Sequence, residues 1–208
     1  MFSRSKKNLP PCIEGFENVS RYYDPSNKKV AAKIKPGEWY VTNQEEMIVT
    51  VLGSCIAACI RDTVNGVGGM NHFMLPSSSQ ADSLVSASAR YGNFAMEYLI
   101  NNIITHGGER RYLEVKLFGG ANVIKRMSDV GEKNIKFITQ YTTSEALKVI
   151  SEDMGGNLPR KVVYDPLTGV VKVKRLRNMH NDTIVRREDD YMNNISAQES
   201  TGSVELFD

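Results

Sequence analysis

Cys55 and His72 are the two residues of this sequence whose types and spacing are best suited to covalent chemistry. Cys55 directly follows Gly53 and Ser54, which interrupt an apolar, β-branched run. A break of this kind can turn a side chain and adjacent backbone N–H groups toward one point. A thiolate is a strong nucleophile, and a nearby imidazole favours the thiolate and can later protonate a leaving group. The segment therefore predicts a nucleophile at Cys55, a base at His72, and oxyanion or positioning contacts at Gly53 and Ser54.

Thr50 is the candidate for the third member of such a site. A catalytic imidazole needs an orienting group, and the Thr50 hydroxyl could accept from or donate to one ring nitrogen. The structural interpretations stay open from the pattern alone, because a cysteine in an apolar strand is commonly a small buried side chain. A single histidine in a strand is likewise commonly structural. A Cys–His pair in one chain is therefore a moderate indication of catalysis.

A metal site is the competing interpretation of these residues, with Cys55, Cys59 and His72 as its ligands. Residues four apart on a strand are separated by roughly 13 Å. Two thiolates that share a zinc ion each lie about 2.3 Å from it, so a strand over residues 55–60 cannot supply both. No C-x2-C motif is present, and we predict no metal at this segment.

Three short strands must position the candidate residues. The apolar pattern predicts strands at Met47–Leu52, Cys55–Ile60 and Val67–Leu75, and Asn65-Gly66 marks a turn between the last two. If these two strands pair antiparallel, His72 comes within hydrogen-bond reach of Cys55.

The remaining elements mix helices and strands without a regular βαβ alternation, which predicts an α+β fold. A loop is expected over 76–89, and a helix over 90–106 carries an aromatic stripe that we expect to be buried. Asn134 is a plausible helix N-cap, yet Phe137-Ile138-Thr139 favours a strand. The other predicted elements are a strand over 112–118, a short helix over 121–129, a strand over 148–151 and a hairpin over 161–174.

Composition excludes several classes of protein. The 208 residues carry a net charge of +2, which is too balanced to imply nucleic acid as a partner. No apolar run approaches the roughly 20 residues that a membrane span needs, and the polar N-terminus shows no secretory signal. Three cysteines without a secretory signal fit the reducing cytoplasm.

The uneven charge divides the chain into three predicted parts. Residues 1–36 hold eight basic and three acidic side chains and are expected to form a loosely structured arm. Residues 37–177 are expected to form the folded domain. Residues 178–208 are expected to be an acidic, flexible tail, because 181–208 hold seven acidic and two basic side chains and few apolar ones.

The chain resembles the CheD family, the chemoreceptor glutamine deamidases of bacterial chemotaxis. The resemblance covers roughly residues 36–176 and rests on five motifs in the family's order. These motifs are Leu52-Gly53-Ser54-Cys55, Gly69-Met70-Asn71-His72-Phe73-Met74-Leu75-Pro76, Arg90-Tyr91-Gly92, Lys116-Leu117-Phe118-Gly119-Gly120-Ala121, and Asp153-Met154-Gly155-Gly156-Asn157 with Arg160.

The resemblance implies an α/β sandwich of mixed sheets with helices outside, including a helix after Asn134 and a strand near 148–151. It also implies a Cys–His–Thr triad at Cys55, His72 and Thr50, with Ser54 as the less favoured hydroxyl. The implied reaction is attack of Cys55 on a receptor glutamine, release of ammonia and hydrolysis of a thioester to glutamate, without a metal or organic cofactor. The new glutamates can then be methylated.

The partners that the resemblance implies are methyl-accepting chemotaxis receptors and a CheC-type phosphatase, all in the cytoplasm. A second hypothesis from another class is a chemotaxis interaction module that binds receptors or the phosphatase with little turnover. Intact Cys55 and His72 favour the enzyme over the module.

Overall fold

Two five-stranded sheets form the layers of the fold, in a computed structural model that describes residues 9–75, 84–123, 129–177, 184 and 186–192. The first sheet contains, in spatial order, β1 (Ser20–Asp24), β2 (Lys29–Lys33), β4 (Glu46–Leu52), β9 (Arg160–Tyr164) and β10 (Val171–Arg175). The pairs β1–β2, β4–β9 and β9–β10 are antiparallel, whereas β2 and β4 are parallel. The antiparallel β9–β10 pair confirms the predicted hairpin.

The second sheet contains, in spatial order, β3 (Trp39–Thr42), β6 (Gly68–Asn71), β5 (Ile56–Asp62), β7 (Leu113–Gly119) and β8 (Lys148–Met154). Among the described strands of this sheet, β7 and β8 pair in parallel and the other neighbours are antiparallel. One hydrophobic core contains side chains of both sheets, among them Ile48, Leu52 and Tyr164 from the first and Ile56 and Ile60 from the second. These mixed sheets confirm the predicted α+β sandwich.

The break at Gly53-Ser54 is the point where the chain crosses from one sheet to the other. Strand β4 ends at Leu52 in the first sheet, and β5 begins at Ile56 in the second. Strands β5 and β6 are antiparallel, and a bridge between Ile56 and Phe73 extends their pairing beyond β6. The predicted antiparallel arrangement is confirmed, and it brings His72 to the start of β5.

Helix α1 (Leu84–Thr105) packs against β3, β5 and β6 and begins before the expected end of the loop at residue 89. Residues 76–83 of that loop lie outside the described residues. The expected burial of the aromatic stripe is wrong for Phe94 and Tyr98, which are 54% and 42% exposed. Tyr98 contacts both Phe94 and Trp39. Leu99 and Ile103, which widen the predicted stripe, are buried together with Met96 and Ile100. No helix of the described residues is long and apolar enough to cross a membrane.

Helix α2 (Val130–Ser144) resolves the ambiguous segment in favour of the helix. The expectation of an N-cap at Asn134 is wrong, because Asp129 holds that position and Asn134 is buried inside the helix. Strand β8 follows, as the resemblance implied. The short helix predicted over 121–129 is absent from 121–123, and residues 124–128 lie outside the described residues.

The described part of the N-terminal arm differs from the loose structure expected for residues 1–36. The Asp24-Pro25-Ser26-Asn27 turn connects β1 to β2, so these residues form a hairpin at the edge of the first sheet. Strand β2 continues into the sheet by pairing with β4, and its central Ala31 and Ala32 are fully buried. The two alanines of β2 give a weak strand pattern, because alanine has a low β-propensity. Their burial against the sheet nevertheless makes them part of the domain.

The described part of the acidic tail also differs from the flexible segment that was expected. Residues 184 and 186–192 are helical, and we refer to them as the C-terminal helical segment. Ile184, Glu188 and Met192 are buried, and they recur at the four-residue spacing of one helix face. This face packs against the domain at the break between β4 and β5.

Candidate active site

The loop at residues 53–55 has its carbonyl groups held by the segment that follows β7. The N–H of Ala121 donates to the carbonyl of Gly53, and the N–H of Gly120 donates to that of Cys55, both at 2.8 Å. Gly119 permits this approach, because its φ is +116° and a Cβ there would lie 2.0 Å from the Cys55 carbonyl oxygen. The Gly119-Gly120-Ala121 motif thus fixes the orientation of the loop that carries Cys55.

Asn134 is a second support for this loop. Its Nδ2 donates to the carbonyl of Ser54 at 2.8 Å, and its Oδ1 accepts from the N–H of Leu75 at 2.8 Å. Asn134 is fully buried. It therefore connects the 53–55 loop to the segment after β6 that contains His72 and Leu75.

Removal of the Asn134 amide is expected to lower the free energy of unfolding by roughly 2–4 kcal/mol, because it leaves a buried carbonyl and a buried N–H unpaired. Asn134→Ala is the variant, and urea denaturation is the measurement. Gln140→Ala, at an exposed position of α2, is the matched control and should change this free energy little. Equal stability of the two variants would show that Asn134 does not support the loop.

With the carbonyls held on one side, the backbone N–H groups of the loop converge on the carboxylate of Glu188. Gly53 N donates to Oε1 at 2.8 Å, Ser54 N to Oε2 at 2.9 Å, and Cys55 N to Oε1 at 3.4 Å. The Ser54 hydroxyl adds a bond of 2.7 Å to Oε2. Gly53 and Ser54, for which the sequence predicts oxyanion or positioning contacts, thus donate to a carboxylate of this chain.

Gly53 is required here for space and not for an unusual backbone conformation. Its φ lies outside the left-handed region, contrary to the conformational role that the sequence suggested. A Cβ at residue 53 would lie 2.8 Å from both carboxylate oxygens of Glu188 and 2.7 Å from Val123. The missing side chain therefore leaves the volume that the carboxylate occupies.

Thr50 and His72 meet across the two sheets. The Thr50 hydroxyl donates to the carbonyl of Ile34 at 2.9 Å, and its oxygen lies 2.8 Å from Nδ1 of His72. Because the single hydroxyl proton is engaged with Ile34, Nδ1 must carry a proton and donate to Thr50. The Nε2 atom then has a free lone pair, and it is buried without a hydrogen-bond partner among the described residues.

The Cys55 thiol, the His72 imidazole and the Glu188 carboxylate share one buried cluster. One ligand-type atom of each residue lies within 4.8 Å of the others. Burial raises the pKa of the Cys55 thiol well above its usual value, and the Glu188 carboxylate raises it further through its charge and a hydrogen bond. Burial also lowers the pKa of His72 to about 3. In this arrangement both the thiol and the imidazole are neutral at pH 7.

The cluster of Cys55, His72 and Glu188 differs from the metal site considered from the sequence. Thiolate, imidazole and carboxylate are all ligands that zinc accepts. Cys59, which that hypothesis included, is not a member of the cluster. Both oxygens of Glu188 accept from N–H groups of the loop, so the geometry is that of an anion held by backbone donors.

A cleft of about 260 Å³ opens beside His72, between the domain and the C-terminal helical segment. Its domain side includes Thr50 and Pro36, and its other side includes Arg187 and Tyr191. Glu188 also lines this cleft, so the cleft borders the buried cluster. A smaller cavity of about 40 Å³ borders His72 from the side of α1.

Sequence reasoning missed Asn134 and Glu188 as parts of the site. Asn134 gave only a capping signal, because its partners are distant in sequence. Glu188 stands in an acidic run typical of a solvated tail, and no local pattern distinguishes it from Asp189 and Asp190. Helical spacing of Ile184, Glu188 and Met192 was the one available signal.

Thr50→Val is expected to reduce turnover roughly tenfold, because it removes one neutral hydrogen bond from Nδ1 of His72. Thr50→Ser keeps the hydroxyl and should retain most of the activity. Initial rates of the glutamine hydrolysis that the resemblance implies provide the measurement. A loss in Thr50→Ser as large as in Thr50→Val would assign the effect to packing instead of to orientation of the ring.

A thiol, an imidazole with a free nitrogen, and an orienting hydroxyl beside converging N–H groups are the components of enzymes that attack carbonyl carbon through cysteine. A family model described as CheD chemotactic sensory transduction matches residues 74–175. Relatives named probable chemoreceptor glutamine deamidase CheD extend the similarity to the whole chain. The one from Hahella chejuensis is 50% identical over 100% of both chains.

Two further relatives carry the same name. The protein from Halorhodospira halophila is 50% identical over 96% of this chain and 94% of its own. The protein from Saccharophagus degradans is 48% identical over 99% of this chain and 97% of its own. This chain belongs to the CheD family.

Proposed function

We propose that this protein is a chemoreceptor glutamine deamidase, which hydrolyses glutamine side chains of chemotaxis receptors to glutamate and ammonia. The observation that carries the proposal is the position of Cys55 and His72 beside backbone donors that hold a carboxylate. A carboxylate is the group that deamidation produces. The names of the full-length relatives support the same reaction and the same class of substrate.

In the first step, Nε2 of His72 accepts the thiol proton, and the sulfur of Cys55 bonds to the carboxamide carbon of the substrate. The electron pair of the C=O bond moves to oxygen. The N–H groups of Gly53, Ser54 and Cys55 are positioned to donate to that oxyanion, which is the usual role of preorganised backbone donors. Thr50 keeps Nδ1 protonated, so that Nε2 acts as the base.

In the second step, the tetrahedral intermediate collapses and the C–N bond breaks. His72 returns its proton to the leaving nitrogen, and ammonia departs from a thioester on Cys55. Nε2 then accepts a proton from water, whose oxygen attacks the thioester carbon. The C–S bond breaks, the thiol recovers the proton, and the glutamate product is released. No metal or organic cofactor takes part in these steps.

The reaction takes place on the cytoplasmic parts of methyl-accepting receptors, and a CheC-type phosphatase is a further binding partner. The family resemblance supports both parts of this proposal. The alternative, an interaction module without turnover, predicts receptor binding with an unreactive thiol.

Ammonia release tests this proposal against the alternative. The purified chain is incubated with the cytoplasmic fragment of a chemoreceptor, and ammonia is measured over time. We expect continuous release that stops after alkylation of the protein with iodoacetamide. Binding of the fragment without ammonia would favour the interaction module.

A further inference from the structure

The C-terminal helical segment packs against the 53–55 loop. Glu188 is 2% exposed, and four donors of the 53–55 loop contact its carboxylate. Ile184 and Met192, one helical turn to either side, are 4% exposed. One face of the helix therefore points into the domain, with an acidic side chain at its centre.

Tyr191 provides another contact between the segment and the domain. Its hydroxyl forms a hydrogen bond with the hydroxyl of Tyr91 on α1. Its ring lies against Gly37, where an added Cβ would come within 2.7 Å of the Tyr191 hydroxyl oxygen. The N–H of Gly37 donates to the His72 carbonyl at 2.7 Å, so Tyr191 lies against the backbone that is hydrogen-bonded to His72.

The group that occupies the donor site has the chemistry of a reaction product. Glutamate differs from glutamine only by an oxygen in place of the amide nitrogen. The Glu188 carboxylate sits among the donors that would bind the oxygen of a substrate carboxamide, and it lies within 4.8 Å of Cys55. Gly53 leaves the volume that this group fills.

We infer that the C-terminal helical segment is a built-in mimic of the product, which closes the site until a receptor replaces it. The inference rests on the proposed function. The substrate glutamine then projects from one face of a receptor helix and takes the position that Glu188 holds. Apolar side chains of the receptor helix flank this glutamine one turn before and one turn after it. The acidic segment and the substrate therefore compete for the same donors.

The electrostatics of the closed site agree with this role. Burial raises the pKa of the Cys55 thiol, and the charge of Glu188 raises it further. Displacement of the segment admits water and removes that charge, and both changes favour the thiolate. The segment thus blocks the site and also keeps the nucleophile protonated.

Glu188→Gln is the direct test, because it converts the mimic into an intramolecular substrate. The Cys55 sulfur would bond to the carboxamide carbon of Gln, the C–N bond would break, and ammonia would leave with the proton from His72. The resulting thioester is then hydrolysed to Glu. Peptide mass spectrometry should find residue 188 as Glu, or joined to Cys55 with the mass of ammonia lost, at a rate independent of protein concentration.

The matched control is the double variant Cys55→Ala, Glu188→Gln, in which the introduced side chain should stay Gln. An unchanged Gln in a Glu188→Gln protein that still deamidates a receptor fragment would overturn the inference and leave the proposed function intact. Failure of both reactions would contradict the proposed function, and the inference with it.

Glu188→Ala tests whether the segment restrains the enzyme. Turnover of a receptor fragment should rise about tenfold or more, because a larger fraction of the protein is open to substrate. Alkylation of Cys55 at neutral pH should rise with it. Asp189→Asn removes the same charge from the neighbouring position and should leave both rates near wild type. Equal rates in wild type, Glu188→Ala and Asp189→Asn would show that the segment does not close the site.

Discussion

Cys55→Ala is expected to lower receptor deamidation about 10³-fold or more, since the thiol forms the covalent bond on which both later steps depend. The protein should stay folded. Loss of one buried sulfur costs about 1 kcal/mol of unfolding free energy, and the carbonyl groups of Gly53, Ser54 and Cys55 keep their hydrogen-bond partners. Residual activity would come from the backbone donors alone.

Cys59→Ala is the matched control for this variant. Cys59 is also buried, lies four residues further along in β5, and is not a member of the cluster formed by Cys55, His72 and Glu188. Its replacement should leave the rate of deamidation near wild type. Ammonia release and a thermal melt of both variants provide the comparison. Comparable rates in the two variants would remove Cys55 from the mechanism.

His72→Gln is expected to lower turnover about 10²- to 10⁴-fold, the range that a positioned general acid–base contributes. Glutamine can hydrogen-bond to Thr50, yet it cannot accept the thiol proton or return it to ammonia. It also cannot become a cation, so the pKa of the Cys55 thiol should be higher than with an imidazole in reach. Alkylation of Cys55 should therefore begin at higher pH in this variant.

The pH profile of alkylation is best compared in the Glu188→Ala background. In the closed site the pKa of His72 is lowered to about 3 by burial, and the pKa of Cys55 is raised, so at pH 7 no thiolate–imidazolium pair forms. Opening the site brings both values toward their ordinary range. Superimposable pH profiles of Cys55 alkylation in Glu188→Ala and in the double variant His72→Gln, Glu188→Ala would contradict the role of the imidazole.

The central part of the site could be predicted from local sequence. The apolar run of β4, the break at Gly53-Ser54 and the Asn-Gly turn after β5 all act over a few residues. These signals placed His72 opposite the start of β5, and the structure agrees. Strand pairing follows from such patterns, because each residue's face alternates regularly along the strand.

The parts that sequence reasoning missed depend on contacts between distant segments. The β1–β2 hairpin belongs to the domain because β2 pairs with β4, which its alanines do not reveal. The exposure of Phe94 and Tyr98 depends on which face of α1 meets the second sheet. Glu188 reaches residues more than 130 positions away, and only packing of the C-terminal helical segment makes it part of the site.

Peptide mapping of a receptor fragment distinguishes a glutamine deamidase from a protein that only binds receptors. The fragment is incubated with the wild-type protein and with Cys55→Ala, and each glutamine is then assigned as Gln or Glu by mass spectrometry. We expect defined glutamines on one helix face to become Glu with the wild-type protein and to stay Gln with Cys55→Ala. A fragment that binds the wild-type protein while every glutamine remains Gln would contradict the deamidase function.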